Sequence, residues 1–372
     1  MRVLHINSYY RTGAFYKNLF DRQVSMGDHI SVYAPVPKGF DPAGRDFGPY
    51  AALDPNHLRA DSLFFHLKQH KILRGALTRY APGEFDIVHA HTLLTNGGIA
   101  YALNRRTGVP YITAVRDSDV NVFLRYMPHL RPLARRILKH ASKVVFLSPS
   151  YRDGALLPFL SGEDLREVMA KSAVVPNGID ALWLGDRPAP RQAAASGEVR
   201  LLFVGQLIAR KNLPAAIRAA EALAARGRKV RLTVVGQPVD EKITAAAKAC
   251  PLVELLPPRP MSELMPLYRA ADAFLLPSGR ETFGLVYAEA ISQGLPVLYT
   301  RGQGFDGQFP DGEVGFAIDP GDPEGIADKI EAILADAPRF SSAALNGSGK
   351  FDWDVIAQTY AAIYGECAKQ AK

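Results

Sequence analysis

Short apolar runs rich in Val, Ile and Leu alternate with longer helix-like segments from one end of this chain to the other. In the first half the strand-like runs are residues 3–7, 30–34, 87–91, 111–115 and 143–147. In the second half they are 201–205, 231–236, 253–256, 273–277 and 296–300. Helical patterns lie between them, such as 15–26, closed by Gly27, and 130–140. Continuous apolar strands separated by helices form parallel sheets covered on both faces. Two such sets predict two doubly wound α/β domains, and 372 residues suffice for two cores.

The junction is expected around 174–191, where Pro176, Asn177, Gly178, Pro188 and Pro190 precede a small-residue run at 192–197. The expected domains are therefore 1–178 and 179–350. Residues 351–372 read as a closing amphipathic helix, with Trp353, Ile356, Tyr360 and Ile363 at helical spacing.

Composition narrows the function classes. Apolar content of 48% and charged content of 22% suit a globular protein. No apolar run approaches the roughly 20 residues that span a bilayer. The start, MRVLHINSYY, lacks the apolar core of a signal peptide, so a cytoplasmic protein is expected. The two cysteines, Cys250 and Cys367, have no metal-ligand spacing. Residues 1–180 hold 23 Lys and Arg against 15 Asp and Glu, and the rest hold 21 against 22. The positive excess thus lies wholly in the first half. It suits phosphorylated small molecules or anionic lipid. No aromatic-basic module supports nucleic acid as a partner.

The richest segment is 273–297, AFLLPSGRETFGLVYAEAISQGLPV. A buried strand ends near Pro277, and a helix begins near Gly284 and stops at Gly294. The N-terminus of such a helix attracts anions through its unpaired N–H groups and its dipole. Gly284 lets a phosphate approach the backbone. Glu281, before the helix, can face sugar hydroxyls. Glu289, in its second turn, can accept from two ribose hydroxyls. Each acid also has a plainer reading. Ser278 and Glu281 have the spacing of a capping box, and Glu289 can be a solvated helix residue.

Pro277, Ser278, Glu281, Phe283, Gly284 and Glu289, followed by Ala290, Gly294 and Pro296, resemble the signature of the family-four retaining glycosyltransferases. Further resemblance lies in VGQLIARKNLP at 204–214, VPNGID at 175–180, and the stretches 311–330 and 351–360. The resemblance implies a GT-B fold, two Rossmann-like domains facing across a cleft. It implies an acceptor in the first domain, a nucleotide-sugar donor in the second, and a last helix returning toward the first. It implies donor contacts from Gly205, Arg210, Lys211, Glu281, Thr282, Phe283, Gly284, Leu285 and Glu289. Lys211 falls on the family lysine, whose charge would neutralise a diphosphate. Gln206 stands where the family has arginine, and Arg210 is next to hand. Catalytic contributions are expected from Glu281, Lys211, Arg210, Arg116 and His91.

The first half departs further from the family. His89 and His91, at the end of the strand in DIVHAHTLLTNGG, share one face, and His91 matches a family histidine. After the next strand Arg116 and Asp117 replace the histidine that many members carry. Arginine stays protonated and cannot shuttle a proton, although it can stabilise a leaving phosphate. A structural pair of Arg116 with Asp117 or Asp119 is the alternative. Of the family's Gly-Gly loop only Gly13 remains. Cationic helices at 66–74 and 130–140 suggest peripheral contact with an anionic membrane.

The expected reaction is sugar transfer from a nucleotide-diphosphate sugar with retention of configuration, in polysaccharide or glycolipid synthesis. Acceptors may be sought among glycans, lipid-linked sugars and small molecules. No metal or other cofactor is expected, since no Asp-x-Asp motif sits at a suitable strand end. The alternatives are a non-catalytic sugar-nucleotide-binding subunit and a sugar-nucleotide epimerase. A dinucleotide oxidoreductase is disfavoured because no strand is followed by G-x-G-x-x-G.

Overall fold

The computed structural model describes residues 1–12, 15–81, 83–191 and 197–370; Gly13 and the small-residue run 192–196 lie outside them. The chain divides into two compact units. One comprises Met1–Leu147, Arg152–Pro176 and Trp353–Lys372, and the other Ser148–Tyr151 and Asn177–Asp352.

The first unit is built on seven parallel strands. They are β1 (Arg2–Ile6), β2 (His29–Pro37), β3 (Ala51–His57), β4 (Ile87–Ala90), β5 (Tyr111–Ala114), β6 (Lys143–Phe146) and β7 (Ser172–Val174). Their order across the sheet is β3-β2-β1-β4-β5-β6-β7. The second unit has six: β8 (Glu198–Val204), β9 (Lys229–Val235), β10 (Val253–Leu256), β11 (Ala273–Leu276), β12 (Val297–Thr300) and β13 (Gly315–Ile318). Their order is β10-β9-β8-β11-β12-β13. Both sheets reverse direction once, between β1 and β4 and between β8 and β11. At such a switch point the loops after the strands part and leave room for a ligand.

The central strands β4, β5, β11 and β12 are buried at every position, which explains their mainly apolar sequences. Strand β3 departs from the apolar pattern, and β7 is short. Each is an edge strand of its sheet. An edge has one unpaired side, so β3 tolerates Asp54, Pro55 and Asn56, and β7 runs to only three residues.

The helix Leu213–Ala225 is rich in Ala, carries Pro214 in its first turn and buries Leu213, Ala216, Ala220 and Leu223. Asn212 starts it in the left-handed region, with φ of 55°, a conformation that Asn tolerates better than most side chains. Arg191 is half-buried in the second unit. Its guanidinium donates to the carbonyls of Tyr268 and Arg269, both at 2.8 Å, and of Ala271 and Gly294. It thereby satisfies carbonyls that the end of the helix Met261–Ala270 leaves unpaired.

The last helix, Trp353–Gln370, belongs to the first unit. Trp353, Ile356, Tyr360, Ile363 and Tyr364 pack into a core with Leu19, Phe20 and Val32. Burial of each such side chain contributes about 1.5–3 kcal/mol. Among the described residues, no helix is long and apolar enough to cross a membrane.

Candidate functional site

In the second unit the loops after β8 and β11 meet at the switch point. Lys211, in the short 3-10 turn Ala209–Lys211, places its Nζ 2.5 Å from Glu281 Oε2. Both side chains are only 12% exposed, so the pair is largely withdrawn from water. Gly279 N–H donates to the Arg210 carbonyl at 2.8 Å, joining the two loops through their backbones. The Arg210 side chain itself is exposed. Gly205 closes β8 beside the Lys211 stem, its N–H bonded to the Val235 carbonyl at 2.9 Å.

Ser278 and Glu281 do not form a capping box. The helix Leu285–Ser292 has Gly284 as its N-cap, with φ of 77° and no side-chain cap, and its Tyr287 N–H donates to the Gly284 carbonyl at 3.0 Å. Glu281 is held instead by a neighbouring loop. Its N–H donates to Gln303 Oε1 at 2.9 Å, and its carbonyl accepts from Gly304 N–H at 2.8 Å. A Cβ at Gly304 would overlap the Thr282 carbonyl carbon and the Phe283 nitrogen. Gly304→Ala should therefore push the 278–284 loop aside and lower stability by about 1–3 kcal/mol. Thermal denaturation tests this, and an unchanged melting temperature would show that the loop has room to spare.

Glu289 is not a solvated helix residue. The buried Tyr268 hydroxyl donates to its Oε2 at 3.2 Å. Burial pushes its carboxyl up to about 7, the tyrosine bond opposing part of that rise. Phe283 needs a correction as a donor contact. Its ring is buried against Phe305 and Phe351, so only its backbone remains for a ligand. Thr282 and Leu285 are half-buried on either side of it.

In the first unit His91, expected to contribute to catalysis, is buried. His91 and His89 do share a face of β4, but that face lies beneath the helices Phe15–Ser25 and Trp353–Gln370. Both imidazoles are at most 1% exposed. His5 joins them, its Nδ1 3.1 Å from His91 Nε2, and His89 Nδ1 lies 2.7 Å from the Tyr364 hydroxyl. Burial lowers all three, His5 to about 3 and the others well below their ordinary value. Burial thus favours their neutral forms. Their ring nitrogens lie within 4.8 Å of one another, a spacing that invites a metal. The His89 and His91 rings stack at 4.0 Å with planes 21° apart.

Arg116 caps the carboxyl end of β5 and is half-buried. Its Nε donates to the His91 carbonyl at 3.3 Å. Asp119, fully buried, accepts from the N–H groups of Leu93, Leu94 and Arg116 at 2.9–3.0 Å, and burial still raises its carboxyl to about 6. Asp119 thus ties the β4 and β5 loops together through backbone. Beside these loops a cavity of about 200 Å³ is lined by Ser8, Tyr9, Arg11, His57, Phe65 and Lys68, among others.

Sequence reasoning did not find Gln303, Gly304, Tyr268 or Gly236. A Cβ at Gly236 would overlap the Gly205 carbonyl, so this glycine at the end of β9 lets the Gly205 loop approach. A glycine closing an apolar strand was the available signal; Tyr268 and Gln303 gave none.

Residues 187–347 match the family model of glycosyl transferases group 1, and residues 12–168 match that of the glycosyl transferase 4-like domain. A D-inositol 3-phosphate glycosyltransferase of Nocardia farcinica is 30% identical over 331 residues, covering 82% of this chain and 71% of its own length. Among solved structures, a sucrose-phosphate synthase from Thermosynechococcus elongatus superposes with a TM-score of 0.73 at 19% identity, covering 98% of each chain. Anabaena Alr3699/HepE, in complex with UDP and glucose, gives 0.70 at 18% identity, covering 98% of this chain and 100% of its own.

Proposed function

The chain belongs to the group 1 glycosyltransferases, with the two Rossmann-like sheets of the GT-B fold, and we propose that it transfers a sugar from a nucleotide-diphosphate sugar with retention of configuration. The observation that carries this reading is the Lys211–Glu281 pair at the β8/β11 switch point, beside the Gly284 helix N-terminus. In the empty protein each charge satisfies the other. An arriving diphosphate draws Lys211 away from the carboxylate, and Glu281 is left to accept from hydroxyls of the sugar. Arg210 and the first-turn N–H groups add to the stabilisation of the departing diphosphate.

No protein nucleophile is used. The acceptor oxygen attacks the anomeric carbon from the side of the leaving group as the bond to the phosphate oxygen breaks. The acceptor proton passes to that phosphate oxygen. Lys211 and the helix N-terminus carry the developing negative charge, and no metal is assigned a part in this scheme. UDP-sugars are the first donors to try, since a similar structure holds UDP and glucose. The cavity at the β1, β3 and β4 loops is read as the place of the acceptor. Its Arg11 and Lys68 favour a phosphorylated glycan or lipid-linked sugar, approached from the cytoplasmic face of a membrane. Arg116, at the adjoining strand end, is read as orienting the acceptor.

Glu289 is read as the ribose clamp, which gives a pH dependence. Ribose hydroxyls donate to the ionised carboxylate, whereas the empty protein binds a proton there up to about pH 7. Nucleotide affinity should therefore rise with pH through 7, by roughly tenfold between pH 6 and pH 8. In Glu289→Gln the dependence should vanish. The same carboxyl affects stability. Between 4.5 and about 7 the folded chain keeps a proton that the unfolded chain has lost, so the Glu289 contribution falls as pH rises through that window. Glu289→Gln should consequently melt higher than wild type at pH 8 and equally at pH 4.5. Titration calorimetry and melting curves at these pH values test both halves, and a pH-independent wild-type affinity would remove Glu289 from the ribose.

A further inference from the structure

A second cavity lies away from the signature loop. It lies at the edge of the first sheet, between β3 and the helix Phe65–Arg79, and holds about 680 Å³. Lys38, Lys71, Arg74 and Arg79 line it, against the single carboxylate of Asp54. Lys71 is paired with Asp61 at 2.7 Å. Among the described residues, Lys38, Arg74 and Arg79 meet no carboxylate within ion-pair distance, and all three are exposed. Their positive charge is unbalanced and converges on one opening.

The floor of this cavity is built. Tyr33 hydroxyl donates to Asp54 Oδ2 at 2.5 Å, and Asn56 Nδ2 donates to the same oxygen at 2.8 Å. Gly75, inside the helix, sits against this network; a Cβ there would overlap Asp54 and press on the Tyr33 hydroxyl. A glycine in a helix interior costs about 1 kcal/mol relative to Ala. Here it lets the helix close down on β3, so that the carboxylate is occupied by local donors and the cations are left for something else.

His57, at the end of β3, lines both this cavity and the one read as the acceptor pocket. Its imidazole is held to about 4 by burial and by the neighbouring Lys68, so it stays neutral between two cationic compartments.

We propose that the β3 edge cavity is a phosphate-binding subsite, continuous past His57 with the acceptor pocket, which holds an anionic group of the acceptor away from its reacting hydroxyl. The role as part of the acceptor site rests on the transferase reading above. The anion site itself does not. A phosphate ester on a soluble sugar and a phosphate in a lipid headgroup offer the same chemistry to Arg74 and Arg79, and the test separates them.

Inorganic pyrophosphate is titrated against wild type, Arg74→Glu/Arg79→Glu and Lys211→Ala, with melting temperature as the readout. Both arginines are exposed, so the double variant should fold. The expected result is stabilisation of wild type and of Lys211→Ala, with apparent affinity at least tenfold weaker in the double variant. Co-sedimentation with phosphatidylcholine vesicles, with and without phosphatidylglycerol, gives the source. Arginine-dependent binding to the anionic vesicles assigns the phosphate to a lipid, and response to pyrophosphate alone assigns it to a soluble ester. Pyrophosphate that fails to stabilise wild type, or binds the double variant equally well, overturns the subsite. A chain that keeps arginine-dependent pyrophosphate binding but uses no sugar nucleotide would sink the transferase reading and leave the anion site standing.

Discussion

Glu281→Gln lowers turnover by roughly 10²–10³-fold while nucleotide affinity stays close to wild type. Two features set this expectation. The side chain lies at the switch point, between the β8 and β11 loops, and is held by backbone bonds to Gln303 and Gly304 that the amide does not disturb. Among the described residues its ion-pair partner is Lys211, which would turn to the diphosphate when donor is present. The carboxylate, whose Oε1 accepts from Thr282 N–H at 3.3 Å, then has its other oxygen free for the sugar. The substitution keeps shape and removes charge, so a loss in kcat without a loss in nucleotide binding isolates positioning of the transferred group. Stopped or steady-state kinetics with the best donor measure it. An unchanged kcat would make Glu281 a structural counter-ion for Lys211 and nothing more.

Lys211→Ala should be the more damaging change, in two separate ways. Removing one member of a buried pair leaves the other uncompensated, a loss of about 3–5 kcal/mol when the site is dry. At 12% exposure some water reaches Glu281, so the lower end of that range applies. Turnover should also fall by at least 10³-fold, because the departing diphosphate loses its nearest buried cation. The double variant Lys211→Ala/Glu281→Gln separates the effects. It should regain most of the stability, since no buried charge is left alone, while turnover stays as low as in Lys211→Ala. Recovery of turnover together with stability would mean that Lys211 serves the fold and not the leaving group.

The parts of this molecule that were legible in the sequence are those fixed by local pattern. β4, β5, β11 and β12 read as strands because each is buried on both faces and is mainly apolar. The edge strands β3 and β7 did not, since β3 carries Asp54, Pro55 and Asn56 and β7 has only three residues. The signature segment announced Glu281, Gly284 and Glu289 correctly as neighbours of one helix start. It could not announce what holds them, since Gln303, Gly304 and Tyr268 come from distant segments and have no spacing of their own. The alternation of His89 and His91 identified a common face, but it could not announce that the helices packed on that face bury both rings. The burial of the Phe283 ring beneath its loop was equally hidden, because Phe305 and Phe351 come from distant segments.

Screening UDP-, GDP- and ADP-sugars by thermal shift and nucleotide release, with Glu289→Ala alongside, tests the central claim most directly. The account predicts that one donor stabilises the wild-type chain and releases its nucleotide diphosphate when an acceptor is supplied, and that Glu289→Ala weakens the binding. If no sugar nucleotide stabilises the protein, or Glu289→Ala binds as wild type does, the loops at the β8/β11 switch point do not hold a donor and the proposed reaction is wrong.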